Sequence, residues 1–412
     1  MVAKLRSWSS NTSFANNVLF IGIPTILLLT LIVLGFMAEG SQQFSMLANS
    51  FVHGHTYFLS SIGGVGQDPV LYRGHVYWDD GFFPAVVLMP FVAFFNLFHI
   101  FFYQGYLKWM FVVLTAYFIF KLAQHFKYTV KDSLVLVFGF MLATVYMGVN
   151  TVSSGWLFAQ IITTFLLFWA LYEYYHQRKW WLIGLLCGFI FLTRIPAASI
   201  GIFFLLTILV AKYSWKKKFI NLVWLGSFVV IGIILIASYN YQRFGNPFNN
   251  GNYYQEISTA SAEARSMGLL SIDHIPTNLY TFLLRGPSTV LKSSSSWSLK
   301  PPYISNNELG MSIFITSPLF IYLLTRKWSS YSRETRFLLL SSLISLIILL
   351  LYYGDGADQF GYRYSLDFLP ELYVVFMIMY RKFNRQLSTG MNSLILASGL
   401  FNFYLVLSYI RW

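Results

Sequence analysis

The chain has 412 residues, of which 57% are hydrophobic and only 10% are charged. Soluble domains carry about 25% charged residues, so this composition excludes an ordinary soluble domain and predicts a polytopic membrane protein. The formal net charge of +13 does not predict nucleic-acid binding, because no soluble basic domain accompanies the hydrophobic segments. The one cysteine, Cys187, excludes disulfides and thiolate metal sites.

The hydrophobic segments and the basic clusters between them predict how the chain crosses the cell membrane. The segments lie near 17–37, 83–103, 106–124, 133–149, 156–175, 181–193, 197–211, 219–237, 311–325, 337–353, 366–380 and 391–410. Basic residues cluster at Lys4/Arg6, Lys121/Lys127/Lys131, Arg178/Lys179, Lys212/Lys216/Lys217/Lys218, Arg326/Lys327/Arg333/Arg336 and Arg381/Lys382/Arg385. The positive-inside rule places all of these clusters on the cytoplasmic face.

If the N-terminus is cytoplasmic and every segment crosses the membrane in turn, the cluster that begins at Lys121 lies outside the cell, against this rule. One solution is that segment 83–103, which contains Pro84 and Pro90, does not cross and dips into the outer leaflet. The other is an extracytoplasmic N-terminus, and we favour the first. It predicts one integral membrane domain, 1–412, with about 11 transmembrane helices and a cytoplasmic N-terminus. Three polar regions, 38–105, 238–310 and 354–365, are then extracytoplasmic, and the first contains juxtamembrane helices.

The first polar region holds four carboxylates, at Glu39, Asp68, Asp79 and Asp80. In a membrane protein with few charges, acids grouped beside the bilayer indicate a functional site. The adjacent pair at 79–80 offers oxygen ligands of the kind that a divalent cation prefers. Adjacent acids in a polar loop are more often simply solvated, so we do not favour a metal site.

One hydrophobic segment is interrupted in a way that predicts two short helices. Residues 181–213 contain the sequence TRIP at 193–196 and have basic residues at both ends. Because the residue before a proline avoids the helical region, we predict a hairpin with Arg194 at its outer turn. An arginine at this depth needs an anionic partner, which is either a carboxylate of the chain or a bound anion.

Several sequence features together resemble a known family. Glu39 follows the first span, the amphipathic stretch FSMLANSF leads to Gly54, and GFFP at 81–84 opens the next hydrophobic segment. LTRIP at 192–196, RFGNPF at 243–248 and FGYRY at 360–364 add looser matches. In these features the chain resembles GT-C-fold glycosyltransferases that use polyprenyl-phosphate-linked sugars, in particular the protein mannosyltransferase and aminoarabinose transferase group. That family usually has Asp, often Asp-Glu, where this chain has Glu39-Gly40.

The resemblance implies an all-α, GT-C-like fold and an inverting transfer of a sugar from a polyprenyl-phosphate donor to an acceptor hydroxyl, on the extracytoplasmic face. Such a reaction needs a base for the acceptor and cations for the departing phosphate. The candidate bases are Glu39 first, then Asp80, Asp79 and Asp68, and the candidate phosphate-binding residues are Arg363, Arg194 and Arg243. The implied partners are the lipid-linked sugar, the bilayer and a glycan, glycolipid or protein acceptor.

Other interpretations stay open at the level of sequence. Arg363 has Asp355, Asp358 and Asp367 nearby, so an ordinary salt bridge competes with phosphate binding. A lipid-linked-sugar flippase or other transporter also places polar residues in a hydrophobic frame, although it predicts charges near the membrane midplane. A non-catalytic assembly subunit predicts tolerance of every single acid substitution.

Overall fold

The structure, a computed structural model, describes residues 15–38, 40–59, 69–293, 297–354 and 356–410. Helices dominate these residues, and 6 of them are long and apolar enough to cross a bilayer. The prediction of a helical polytopic membrane protein is therefore confirmed. Other predicted spans form shorter helices in the described residues, so the number of crossings and the single-domain interpretation stay predictions.

The described elements follow one another in chain order. The helices are α1 (Ala15–Met37, π-helical over Val18–Gly22), α2 (Gln43–Val52), α3 (Phe83–Asn96), α4 (Gln104–His125), α5 (Val130–Leu142), α6 (Tyr146–Val149), α7 (Gly155–His176), α8 (Trp180–Thr193), α9 (Ile200–Val210), α10 (Trp215–Phe244), α11 (Thr259–Ser266), α12 (Ile275–Leu283), α13 (Ile313–Thr316), α14 (Ile321–Leu324), α15 (Arg333–Leu351), α16 (Leu369–Phe383) and α17 (Thr389–Tyr409). The strands are β1 (Val70–Tyr72), β2 (His75–Tyr77), β3 (Ser288–Leu291) and β4 (Leu299–Ser305).

Two small antiparallel hairpins depart from the predicted all-α composition. In the first, β1 pairs with β2 through Val70↔Tyr77 and Tyr72↔His75. Its two-residue turn has positive φ at both positions, 48° at Arg73 and 80° at Gly74, which suits the twist of paired strands. β3 pairs with β4 in the second large polar region. The first three strands have only three or four residues and β4 contains Pro301 and Pro302, so no strand pattern in the sequence predicted them.

Helix α3 lies in segment 83–103, which the positions of the basic clusters predicted not to cross the membrane. It has 14 residues and contains Pro90, so it rises only about 21 Å at roughly 1.5 Å per residue. The hydrocarbon core is about 30 Å thick, which an upright helix of this length does not span. α3 packs against α2, where Asn96 Nδ2 donates to Asn49 Oδ1 at 2.8 Å. This geometry suits a juxtamembrane pair, and its position outside the bilayer stays a prediction.

The predicted break at 193–196 is confirmed. α8 ends at Thr193, and Arg194 is extended, with φ −148° and ψ 110°. A 3₁₀ turn over Pro196–Ser199 then leads into α9. α8 and the later α10 run parallel and in close contact, because Gly184 and Gly188 have no side chains. A Cβ at Gly184 would lie 2.1 Å from the carbonyl oxygen of Trp224.

The connections place basic clusters at one end of the helices, which we call the basic end. It comprises the starts of α5 and α15 and the ends of α7 and α16. Arg178 after α7 pairs with Glu334 of α15 at 3.7 Å, and Lys382 of α16 donates to the Ser330 carbonyl at 2.5 Å. The starts of α4, α7 and α16 and the ends of α8 and α10 lie at the opposite end, the aspartate end. Which end faces the cytoplasm stays a prediction, and Lys4 and Arg6 lie outside the described residues.

Candidate active site

The loop that carries the Asp79–Asp80 pair follows β2 at the aspartate end and is held from both sides. The fully buried Trp78 ring packs against Phe44, with ring centroids 6.1 Å apart. On the other side Gly81 lies against the end of α8. A Cβ at position 81 would lie 2.2 Å from the Leu192 carbonyl oxygen. Glycine therefore allows the loop to touch the backbone of α8 and brings Asp80 beside the turn that carries Arg194.

Asp80 is influenced by the charges of two arginines, Arg194 and Arg363, without forming an ion pair with either. Its Oδ2 is buried without a hydrogen-bond partner, and no cation of the described residues comes within ion-pair distance of it. Burial raises the pKa of the Asp80 carboxyl above its ordinary value. The charges of Arg194 and Arg363 act in the opposite direction, and Asp367 raises the pKa further. Burial is the largest of these effects, so Asp80 holds a proton more tightly than a solvated aspartate does.

Arg194 already has a partner within the chain. Its Nε donates to Asp367 Oδ1 at 2.6 Å and its Nη2 donates to Oδ2 at 2.9 Å. The Asp367 side chain is fully buried and the Arg194 side chain is only 10% exposed. A two-point pair of this kind fixes both groups in one geometry. The anionic partner of Arg194 in the structure is thus a carboxylate of the chain. Its contact with a donor phosphate stays a prediction.

Arg363 is buried in a different way, because its guanidinium makes no ion pair with a described carboxylate. The residue is 6% exposed, and its Nε has no hydrogen-bond partner. Its backbone is held instead: the carbonyl accepts from Gln160 Nε2 at 3.1 Å, and the N–H donates to Gln359 Oε1 at 3.3 Å. The Tyr364 ring lies 5.0 Å from the guanidinium carbon. The salt bridge to Asp367 that sequence proximity suggested does not form, because Arg194 occupies that carboxylate.

Asp79 is directed toward the second large polar region. Gln255 Nε2 donates to Asp79 Oδ2 at 2.9 Å, and the hydroxyl of Tyr353 donates to Gln255 Oε1 at 3.2 Å. This chain of hydrogen bonds joins the first two polar regions to Tyr353, which follows the end of α15, at the aspartate end. Asp79 and Asp80 thus have different neighbours although they are adjacent in sequence. In the described ranges, no three His, Cys, Asp or Glu residues converge as metal ligands.

Arg243, the third predicted phosphate ligand, hydrogen-bonds to the backbone of the loop that carries Asp79 and Asp80. Its Nη1 donates to the Trp78 carbonyl at 2.5 Å and its Nη2 donates to Asn240 Oδ1 at 2.7 Å. Its guanidinium carbon lies 3.9 Å from the centroid of the Tyr239 ring. These contacts direct Arg243 toward the backbone of the acidic loop. Phosphate binding by Arg243 stays a prediction.

Glu39 and Asp68, the other two predicted acids, lie outside the described residues. The segment that follows Glu39 is nevertheless fixed at the aspartate end. Gln104 at the start of α4 donates its backbone N–H to Gln42 Oε1 at 3.0 Å and accepts at its own Oε1 from Phe44 N–H at 3.2 Å. Gln43 Oε1 accepts from the first N–H of α7, that of Gly155, at 3.0 Å. The roles of Glu39 and Asp68 stay predictions.

Sequence reasoning missed several polar residues around this site. The pairing of Asp367 with Arg194 and the role of Gln255 were missed because the partners lie 173 and 176 positions away along the chain. Lys108 was missed too: it is fully buried in α4, and its Nζ donates to the Thr151 carbonyl at 3.1 Å. A lysine near the start of the hydrophobic segment 106–124, away from the basic cluster at its other end, was an available signal for it.

Comparisons with known proteins give one structural similarity for this chain. Among solved structures, it is similar to the apo form of the oligosaccharyltransferase of Archaeoglobus fulgidus, with a TM-score of 0.47 and 11% sequence identity. The alignment covers 96% of this chain and 56% of the archaeal chain, so this chain spans little more than half of that protein's length. Similarity at this level carries no argument about activity. No protein-family model and no curated protein matches the chain.

Proposed function

We propose that this chain is a membrane glycosyltransferase of the GT-C type, which moves a sugar from a polyprenyl-phosphate donor to an acceptor hydroxyl with inversion at the anomeric carbon. The observation that carries the proposal is that a carboxylate and an arginine lie near each other at the aspartate end. Asp80, whose Oδ2 is buried, lies close enough to the buried Arg363 for that charge to lower its pKa, and Arg363 has no carboxylate within ion-pair distance among the described residues. A general base and a free cation are the two groups that this transfer needs.

Asp80 is the described residue best suited to take the acceptor proton. A general base works best when its pKa lies near the operating pH, and burial moves the pKa of Asp80 upward. The unpartnered Oδ2 leaves one oxygen without competition from the chain. A hydroxyl that donates to this oxygen would be held and activated in the same contact. Glu39 and Asp68 remain candidate bases from sequence.

Arg363 is suited to the departing phosphate. A guanidinium binds phosphate through charge-assisted hydrogen bonds, often by two parallel contacts. The cost of burying this cation is large unless an anion accompanies it. In the proposal, the donor phosphate supplies that anion, and the positive charge stabilises the phosphate as the bond to the sugar breaks.

The remaining polar residues act by positioning these two groups. The pair between Arg194 and Asp367 fixes the end of α8, on which the Asp80 loop rests through Gly81. Arg243 fixes the backbone of the loop at Trp78. The donor is delivered from the bilayer, because its isoprenoid tail stays in the hydrocarbon phase while its phosphate and sugar reach the aspartate end. Attack from the face opposite the phosphate gives inversion.

Arg363→Gln tests the proposal directly. Membranes that contain the full chain are supplied with radiolabelled polyprenyl-phosphate sugars, and transfer of label to non-donor material is measured against donor concentration. A charged hydrogen bond contributes about 1.5–3 kcal/mol, so the KM for the donor should rise about 10- to 100-fold. Lys300→Gln, an exposed change of the same charge at the same end, is the control and should leave the KM unchanged.

Three outcomes would contradict the proposal. An unchanged donor KM in Arg363→Gln would remove the phosphate role. Movement of a fluorescent polyprenyl-phosphate lipid across reconstituted liposomes, with no covalent product, would favour the flippase. Absence of both activities, with every acid substitution tolerated in cells, would favour the assembly subunit.

A further inference from the structure

A second polar cleft lies at the basic end, away from Asp80. It has a volume of about 540 Å³ and lies among α14, the end of α16 and the start of α17. The side chains that define its chemistry are those of Tyr322, Arg326, Tyr380, Asn384, Ser388 and Leu394. α16 runs from the aspartate end to this cleft, so about 22 Å of helix separates the two sites. The proposed transfer makes no use of it.

Arg326 gives the cleft an uncompensated positive charge. No described carboxylate lies within ion-pair distance of it, and its Nε is buried without a hydrogen-bond partner. Aromatic rings hold the guanidinium instead: its carbon lies 4.1 Å from the Tyr322 ring centroid and 5.1 Å from that of Phe383. Stacking fixes a guanidinium by its faces and leaves the hydrogen-bond donors at its edge for an anion.

The other polar groups of the cleft are neutral and linked to one another. Asn384 Nδ2 donates to the Tyr322 hydroxyl at 3.2 Å, and the Tyr380 hydroxyl contacts Ser388 Oγ at 3.0 Å. No Asp or Glu is among the described residues that line the cleft. Glu334 pairs with Arg178, and Asp132 accepts from the Leu387 N–H. The cleft therefore presents a cation and hydroxyl groups without a competing carboxylate.

Apolar side chains at and beside the cleft are exposed. Leu324 is 71% exposed, Phe383 48% and Leu394 36%. A free phosphate ion would gain nothing from these side chains, whereas the acyl chains of a lipid would cover them. Basic pockets between membrane helices commonly bind anionic headgroups. The arrangement of one stacked arginine, neutral donors and an apolar flank matches a headgroup phosphate with attached chains.

We propose that this cleft binds the phosphate of an anionic phospholipid, with Arg326 as its cationic ligand and the acyl chains lying along Leu324 and Leu394. The Tyr322, Tyr380 and Ser388 hydroxyls are the neutral groups within reach of the headgroup. The bound lipid would tie α14, α16 and α17 together at the basic end. This inference is independent of the proposed transfer, because it uses no residue of the aspartate end.

The test measures lipid binding to the purified full chain by native mass spectrometry in detergent. Phosphatidylglycerol, phosphatidylcholine and inorganic phosphate are titrated separately. Phosphatidylglycerol should bind in preference to phosphatidylcholine, and Arg326→Gln should weaken it about tenfold or more, since a direct hydrogen bond between charged groups contributes at least about that factor. Arg385→Gln, an exposed change of equal charge at the same end, is the matched control and should not weaken it.

A second variant guards against loss of folding in Arg326→Gln. A Cβ at Gly390 would meet only Ser388 Oγ, at 3.9 Å, so Gly390→Glu fits at the mouth of the cleft. Its carboxylate suits the first turn of α17 and should repel an anionic headgroup. Equal losses in Arg326→Gln and Arg385→Gln, or retained binding in Gly390→Glu, would overturn the proposal. Equal displacement by inorganic phosphate would identify a free anion as the ligand and overturn the lipid assignment.

Discussion

Two buried arginine–aspartate combinations lie side by side at the aspartate end, and they differ in whether the charges touch. Arg194 and Asp367 form a two-point ion pair at 2.6 and 2.9 Å. Arg363 and Asp80 influence each other electrostatically, but neither forms an ion pair within the described residues. The same residue types thus appear once as a closed pair and once as an open pair.

The difference separates stability from function. A closed pair satisfies both desolvated charges, and its removal leaves one of them uncompensated in the interior. In the proposed reaction, the open pair is completed by the acceptor hydroxyl and the donor phosphate. We therefore expect substitutions in the closed pair to change folding first, and substitutions in the open pair to change turnover first.

Asp80→Asn should produce the largest effect of the comparison. It removes the proposed base, which contributes about 100- to 10,000-fold in rate, while the buried amide keeps the size of the side chain. Transfer of labelled sugar in membranes measures the rate, and thermal unfolding in detergent measures folding. Asp273→Asn, at an exposed aspartate of the same end, is the control. Retained turnover in Asp80→Asn would move the base to Glu39, Asp68 or Asp79.

Asp367→Asn should act mainly on stability. The change leaves the buried Arg194 guanidinium without its anion, which costs about 3 kcal/mol in the free energy of unfolding. Thermal unfolding of the purified full chain should show a lower midpoint than in Asp80→Asn. The double variant Arg194→Met/Asp367→Leu removes both charges and should recover part of the loss. A midpoint equal to that of the unmodified chain would contradict the closed-pair interpretation.

The smallest expected effect is a shift in pH dependence. Because burial raises the pKa of Asp80, the acidic limb of the rate profile should lie above the ordinary titration range of an aspartate, which is near pH 4. Asp367 raises this pKa further, so Asp367→Asn should move the limb to lower pH. The profile is measured as kcat/KM for the donor from pH 4 to 8. An unmoved limb would show that Asp367 does not act on the titrating group.

The same raised pKa has a consequence for stability. Between the ordinary pKa and the raised pKa, the folded chain binds more proton at Asp80 than the unfolded chain does. The contribution of Asp80 to the free energy of unfolding therefore falls as pH rises through that window. Asp80→Asn removes the titrating group and should remove this part of the pH dependence.

Several features of the fold were predictable because they depend on local sequence. The low fraction of charged residues predicted the membrane helices, and the sequence TRIP predicted the end of α8 at Thr193. The basic clusters after Lys121 predicted which helix ends lie together. The two hairpins were not predictable, since β1, β2 and β3 have only three or four residues and β4 contains two adjacent prolines, which are untypical of strands.

The candidate site was predicted only in part. The acidic loop and the residues Arg194, Arg243 and Arg363 were singled out from sequence. Their partners were not, because the contacts to Asp367 and to the Trp78 carbonyl join residues more than 160 positions apart, at 173 and 165. Nothing in the local sequence distinguishes Asp79, which accepts from Gln255, from the neighbouring Asp80.

The sequence by itself determined that the chain is a helical membrane protein with four acids grouped in its first polar region. Hydrophobicity, charge and proline act through solvent and local backbone, so they can be evaluated residue by residue. Only the tertiary structure decided that Asp367 forms an ion pair with Arg194 and that Asp80 lies near Arg363 without such a pair. The behaviour of a buried charge depends on the distance to its counter-charge, and that distance is set by packing between segments far apart in the chain.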